Sequence, residues 1–231
     1  MRREIRVFDS GAELVETLAN VCQHWVDEAV AARGIAHLVL AGGRTPVGLY
    51  RELRSRALPW ASLEVYFGDE RCVPADDPES NYRAAREALL GHVSIPSGQI
   101  HRMHGEEGKL GAEAYGHCLP ERFDITFLGM GEDGHTASLF PNSRALQSDQ
   151  RVVFVDNSPK PPAERITLGL SALNASRRAV FMVTGSSKAD ALARVGKEGS
   201  ILPASRVAPT DGTVSFFVDR EAAANLPRRE S

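Results

Sequence analysis

His37-Leu38-Val39-Leu40-Ala41, followed by Gly42-Gly43-Arg44-Thr45-Pro46, is the stretch that decides the fold. An unbroken apolar run of this length reads as a strand buried on both faces. The glycine pair reads as a turn, with Thr45 expected as the N-cap of a helix and Pro46 at its first position. Strand, glycine turn and helix then recur along the chain. Leu63 to Phe67 precedes a loop (68–79) and a helix (80–90), and Phe123 to Leu128 precedes a loop (129–135). Ala179 to Thr184 precedes a loop (185–187) and a helix (188–195). Such alternation predicts an α/β fold, a Rossmann-like doubly wound, mainly parallel sheet with helices on both faces. Its ligand site should lie beyond the carboxyl ends of the strands. Upstream, Ile5, Val7 and Phe8 read as a first strand. Ser10 caps a helix whose apolar positions Leu14, Leu18, Val21, Cys22, Trp25, Val26 and Ala29 run to Gly34.

The 231 residues, with 42% hydrophobic and 25% charged, suit one domain over 1–231 and exclude a disordered or collagenous chain. No repeat or linker divides them, and the proline-bearing segment 157–163 reads as an ordered surface loop. A net charge of −3 without long runs of one sign advertises neither a nucleic-acid nor a membrane surface. Any cationic site must be local. Cys22, Cys72 and Cys118 are odd in number and lack a C-x-x-C, against a disulfide framework or structural zinc and for a reducing cytoplasm. No apolar stretch approaches the roughly 20 residues needed to span a bilayer.

Chemistry concentrates in four segments. Gly42-Gly43-Arg44-Thr45 offers unobstructed backbone N–H groups, a hydroxyl and a helix N-terminus to an anion, although the pair also suits a plain tight turn. It lacks the spacing and the Lys of a P-loop. Gly68-Asp69-Glu70-Arg71 sets two carboxylates and a guanidinium at a strand end, as ligand contacts or as a solvated cluster. Gly129-Met130-Gly131-Glu132-Asp133-Gly134-His135-Thr136 is the densest signal. An imidazole titrates near neutrality and a nearby carboxylate can fix its tautomer, which makes His135 a candidate acid/base with Asp133 beside it. The same segment fits G-x-G-x-x-G with Asp156 downstream, a dinucleotide reading opposed by the charges of Glu132 and Asp133 and by Pro141. Gly185-Ser186-Ser187-Lys188 and Arg165 supply cations suited to a phosphate ester. His101 and His104 form no metal pattern, and G-x-S-x-G and H-E-x-x-H are absent, so neither a metal nor a serine nucleophile is expected.

Together AGGRTP (41–46), FGDERCVP (67–74) with SNYRAAREALL (80–90), FLGMGEDGHTASLFP (127–141), PPAERITL (161–168) and TGSSKADAL (184–192) resemble the 6-phosphogluconolactonases, relatives of the glucosamine-6-phosphate isomerases. The resemblance implies cofactor-free hydrolysis of 6-phospho-D-glucono-1,5-lactone to 6-phosphogluconate, a step of the oxidative pentose phosphate pathway. It implies His135 as general base and Asp133 as its support. Arg71 and loop N–H groups are expected at the oxyanion, and Asp69 on substrate hydroxyls or on Arg71. Gly42, Gly43, Thr45, Arg165 and Lys188 fall at the phosphate. Arg44 stands where the family commonly has Ser or Thr, so it adds a phosphate contact or faces solvent. In the isomerases the segment after DGH resembles IAFNEP, with a Glu where this chain has Phe140, and their DEY reads Asp69-Glu70-Arg71 here. A non-catalytic sugar-phosphate sensor is the rival from another class. The partner is then a small sugar phosphate lactone, with no nucleic acid or membrane, bound by a cytoplasmic monomer or weak homodimer.

Overall fold

In a computed structural model describing residues 2–197 and 199–227, β1 (Arg2–Phe8) leads into α1 (Gly11–Arg33). Met1, Glu198 and 228–231 of the expected unit lie outside the described residues. The Ser10 hydroxyl accepts the Glu13 N–H at 3.2 Å, and Gly34 closes the helix in the left-handed region at φ 77°. Leu14, Leu18, Cys22, Val26 and Ala29 form its buried stripe.

Next come β2 (Ala36–Leu40) and α2 (Arg44–Leu53), then β3 (Leu63–Phe67), β4 (Asp69–Arg71) and α3 (Asn81–Ala88). The chain continues through α4 (Lys109–His117), β5 (Phe123–Gly129), β6 (Val152–Val155), β7 (Arg165–Leu168) and α5 (Leu170–Leu173). It ends with β8 (Ser176–Val183), α6 (Ala189–Val195) and β9 (Thr213–Asp219). Six strands form one parallel sheet in the order β1-β9-β8-β5-β2-β3. The expected α/β architecture forms. Phe123 to Leu128 of β5 are all buried, so both sheet faces are covered there. From β2 the chain steps outward to β3, and from β5 it steps the opposite way to β8. The two directions part between β2 and β5, which opens a crevice at their carboxyl ends.

Several expectations need correction. Thr45 is not the N-cap, because α2 begins at Arg44 behind Gly43, whose φ of 105° only glycine adopts easily. Thr45 instead bonds the Thr184 hydroxyl at 2.7 Å, tying the loop after β2 to the loop after β8. The charges Asp69 to Arg71 lie not in a loop but in β4, which pairs antiparallel with β7, itself antiparallel to β6. This second, three-stranded sheet is fastened to the first at Gly68. Its N–H donates to the Leu40 carbonyl and its carbonyl accepts the Leu168 N–H, both at 2.8 Å. The predicted helix over 80–90 shortens to Asn81–Ala88. The apolar residues of both sheets belong to one contiguous core.

Candidate active site

A cavity of about 650 Å³ opens over the crevice between β2 and β5. Its walls include Gly42 to Thr45, Asp69, Arg71, Asn81, Gly131, His135, Arg165 and Lys188. Asp133 stands behind His135, so the structure brings every expected site residue to one place.

The loop after β5 is built around the imidazole. Gly131 N–H donates to the His135 carbonyl at 2.9 Å, and Gly134 turns the chain at φ 80°. A Cβ on Gly131 would lie 2.0 Å from His135 Nδ1 and 2.5 Å from Asp133 Oδ1, so the pair occupies space that only glycine leaves free. Asp133 Oδ1 sits 2.5 Å from His135 Nδ1 and accepts the His135 backbone N–H at 3.1 Å. Burial opposes ionisation of Asp133, but its bonds to His135 outweigh that and hold the carboxyl below its usual range. An ionised Asp133 requires Nδ1 to carry a proton, which leaves Nε2 as the acceptor. Burial also lowers the imidazole below its ordinary value of 6.5, against the pull of Asp133, so the free base persists at neutral pH.

Asp69 is buried and committed to neighbours. Its Oδ2 accepts the Ser138 hydroxyl at 2.7 Å and its Oδ1 accepts Asn81 Nδ2 at 3.2 Å. No hydrogen bond or ion pair joins it to Arg71 among the described residues. Glu70 has turned away from the cavity to cap α3, accepting the N–H groups of Asn81 (2.7 Å) and Tyr82 (2.8 Å) and the Ser80 hydroxyl (3.0 Å). That capping fixes Asn81, whose side chain fills the space a Cβ on Gly42 would need at 2.1 Å.

Cations approach from two sides. Arg71 and Arg165 lie directly opposite each other across β4 and β7, a placement in which like charges repel unless other groups draw them apart. Arg71 donates to the Glu79 carbonyl, and its Nε is buried with no partner among the described residues. Arg165 donates to the carbonyls of Lys160 (3.1 Å), Pro161 (2.9 Å) and Pro162 (3.1 Å), and its planar fork faces the Phe140 ring. Arg44 and Lys188 stand at the other side, by the N-terminus of α2, and neither side chain has a polar partner among the described residues. A wall with free cations and helix N–H groups suits an anionic ligand.

Sequence reading missed Asn81, Ser138 and Asp219. The Asp219 carboxylate ends β9 and receives the Gly185 N–H at 3.1 and 3.0 Å, shaping the loop that carries Lys188. A lone acid closing an apolar strand, TVSFFVD, was the available signal. Asn81 carried none beyond its place after the capping Ser80. Among the described residues no group of His, Cys, Asp and Glu is arranged to hold a metal ion.

Residues 9–216 match the family described as glucosamine-6-phosphate isomerases/6-phosphogluconolactonase. The 6-phosphogluconolactonase of Mycobacterium leprae is 39% identical to this chain, over 98% of it and 100% of the relative. That of Synechocystis is 37% identical over 87% of this chain and 89% of its own length. The crystal structure of 6-phosphogluconolactonase from Thermotoga maritima has a TM-score of 0.87 to this fold at 32% identity, covering 94% of this chain and 100% of that one.

Proposed function

The chain belongs to the glucosamine-6-phosphate isomerase/6-phosphogluconolactonase family as an enzyme of its lactonase branch, a carboxylic ester hydrolase, and from that premise we propose how its residues open 6-phospho-D-glucono-1,5-lactone. The observation that carries the mechanism is His135, clamped at Nδ1 by Asp133, with its ring against a cavity edged by free cations. His135 Nε2 takes a proton from water, and the hydroxide formed adds to the lactone carbonyl carbon. The tetrahedral intermediate collapses, the bond from C1 to the ring oxygen breaks, and the imidazolium returns its proton to that oxygen. The products are the open sugar acid and free His135. Asp133 stays ionised throughout, holding the tautomer and stabilising the imidazolium.

Negative charge on the carbonyl oxygen falls to Arg71 and to N–H groups of the glycine loops. Asp69, held by Ser138 and Asn81, presents a fixed carboxylate edge to sugar hydroxyls. Gly42, Gly43, Arg44, Thr45 and Lys188 surround the phosphate at the start of α2, and Arg165 adds a guanidinium from β7. No step calls for a cofactor. Amino-sugar isomerisation is disfavoured because Phe140, an apolar ring against His135, stands where an isomerase has its carboxylate. The enzyme works in the cytoplasm as a monomer or weak homodimer. In support, its cysteines are unpaired and no helix among the described residues is long and apolar enough to cross a membrane.

A lactonase assay corrected for spontaneous hydrolysis tests the scheme. His135→Ala should lower kcat by about 10²–10⁴-fold while product still binds. Near-wild-type turnover by that variant would remove His135 from the chemistry.

A further inference from the structure

Phe140 is 1% exposed, yet unlike its neighbour Leu139 it stands outside the contiguous apolar core. Its ring has polar company instead. The imidazole of His135 lies 4.5 Å away, centroid to centroid and tilted by 35°, and the guanidinium carbon of Arg165 lies 5.8 Å from the ring centroid. Polar bonds hold His135 at one edge of its ring and Arg165 around the rim of its guanidinium plane, and in both cases leave a face to the Phe140 ring. His135 is pinned through Nδ1 by Asp133, which leaves Nε2 free, while Arg165 is pinned by the carbonyls of residues 160–162 and donates from Nη1 to the Ser138 hydroxyl at 3.5 Å. The same aromatic ring lies against both.

We propose that Phe140 is a positioning residue that braces His135 and Arg165 together, so that the proton-transferring group and one phosphate-binding cation keep a single spacing along the substrate. The inference rests on the roles proposed above for those two residues. A flat ring against the imidazole blocks its swing out of the Asp133 plane and keeps water from that side. The ring electrons also attract the guanidinium, offsetting part of its burial. The charged groups that act on His135 are Asp133 and Asp69, which favour its protonated form, and Lys160, which opposes it. Burial is the largest influence on the imidazole, and the uncharged Phe140 ring, 4.5 Å away, is part of what surrounds it.

The test is Phe140→Leu, which keeps an apolar side chain of similar bulk and removes the ring, with Phe140→Tyr as the variant that restores it. Kinetics are read on the phosphorylated lactone and on plain gluconolactone. Expected for Leu is a fall in kcat of about 10–10²-fold from misplacement. The acid limb of kcat/KM should move up in pH towards the ordinary imidazole value, and KM should rise on the phosphorylated substrate alone. Tyr should return both readouts towards wild type. An acid limb and a KM ratio that both stay at wild-type values overturn the proposal, whatever happens to kcat. Movement of only one overturns it too, because a shared brace must move both. Should neither variant fold, wild-type protein carrying ¹³C-labelled phenylalanine decides. The Phe140 ring resonances must follow both His135 titration and the binding of inorganic phosphate, and a ring blind to either defeats the brace. His135→Ala and Arg165→Ala are assayed in parallel. Undiminished turnover in the first, or equal losses on both substrates in the second, would refute the functional reading instead.

Discussion

At His135 two influences of opposite sign meet. Burial disfavours the imidazolium, and Asp133 at 2.5 Å favours it. Asp133→Asn deletes the second and leaves the first. The acid limb of the pH-rate profile should therefore move to lower pH, while kcat falls by about 10²–10⁴-fold because the imidazolium loses its counter-charge and the tautomer is no longer fixed. A limb that moved upward would show that Asp133 does not act on His135 in the working enzyme. The pair was legible in the sequence because acid and imidazole sit two residues apart among glycines. Its tightness was not. That depends on Gly131 having no Cβ, on the Nδ1 contact and on the ring of Phe140, all set by distances within a fold. Asn81 illustrates the limit, since its place beside the cavity is set by Glu70, eleven residues earlier, which caps the helix that begins with it.

Among the elements, β5 carries a buried acid at the end away from the cavity. Asp124 joins three neighbours there. It bonds Arg33 from the end of α1 at 2.5 Å and the His37 N–H of β2 at 2.9 Å, and pairs with Arg177 of β8 at 3.3 Å. Burial raises its carboxyl, but the bonds from His37 and Arg33 outweigh that and hold it below the ordinary range. A carboxylate depressed by folding contributes stability above its unfolded pKa, and the contribution is lost as pH falls through the lowered folded value. Asp124→Asn should cost about 1–3 kcal/mol near neutrality, with a gap to wild type that closes in acid. Urea unfolding at several pH values measures this, and a gap independent of pH would contradict the assignment. Parallel strands were legible as apolar runs before glycine loops. The second sheet was hidden, because Asp69, Glu70 and Arg71 form a strand through pairing with β7, 94 to 98 positions along in chain order, and their charges suggest a loop.

For the molecule as a whole, the proposed scheme has the cations divide the work of recognising the substrate. Lys188 lines the same cavity as the start of α2, and losing the charge-assisted phosphate contact proposed for it should cost about 1.5–3 kcal/mol. Lys188→Ala should raise KM on the phosphorylated lactone and leave plain gluconolactone nearly untouched. Equal losses on both would make Lys188 a structural residue. The sequence carried this placement through motif resemblance, whereas the order of strands that delivers Lys188 to the cavity is set by pairing between segments far apart in the chain. One such adjacency governs events in time. β1 and β9 pair from Arg2 with Thr213 to Phe8 with Asp219, so the strand made first has no neighbour until the strand made near the end appears. Contacts of such separation form slowly, because loop closure must precede them. Asp219 also fastens Gly185, so the cavity wall bearing Lys188 is completed in the same late step. Refolding chains should thus acquire secondary structure well before they turn over substrate, and ribosome-bound chains halted short of residue 213 should hold His135 and Lys188 yet remain inactive.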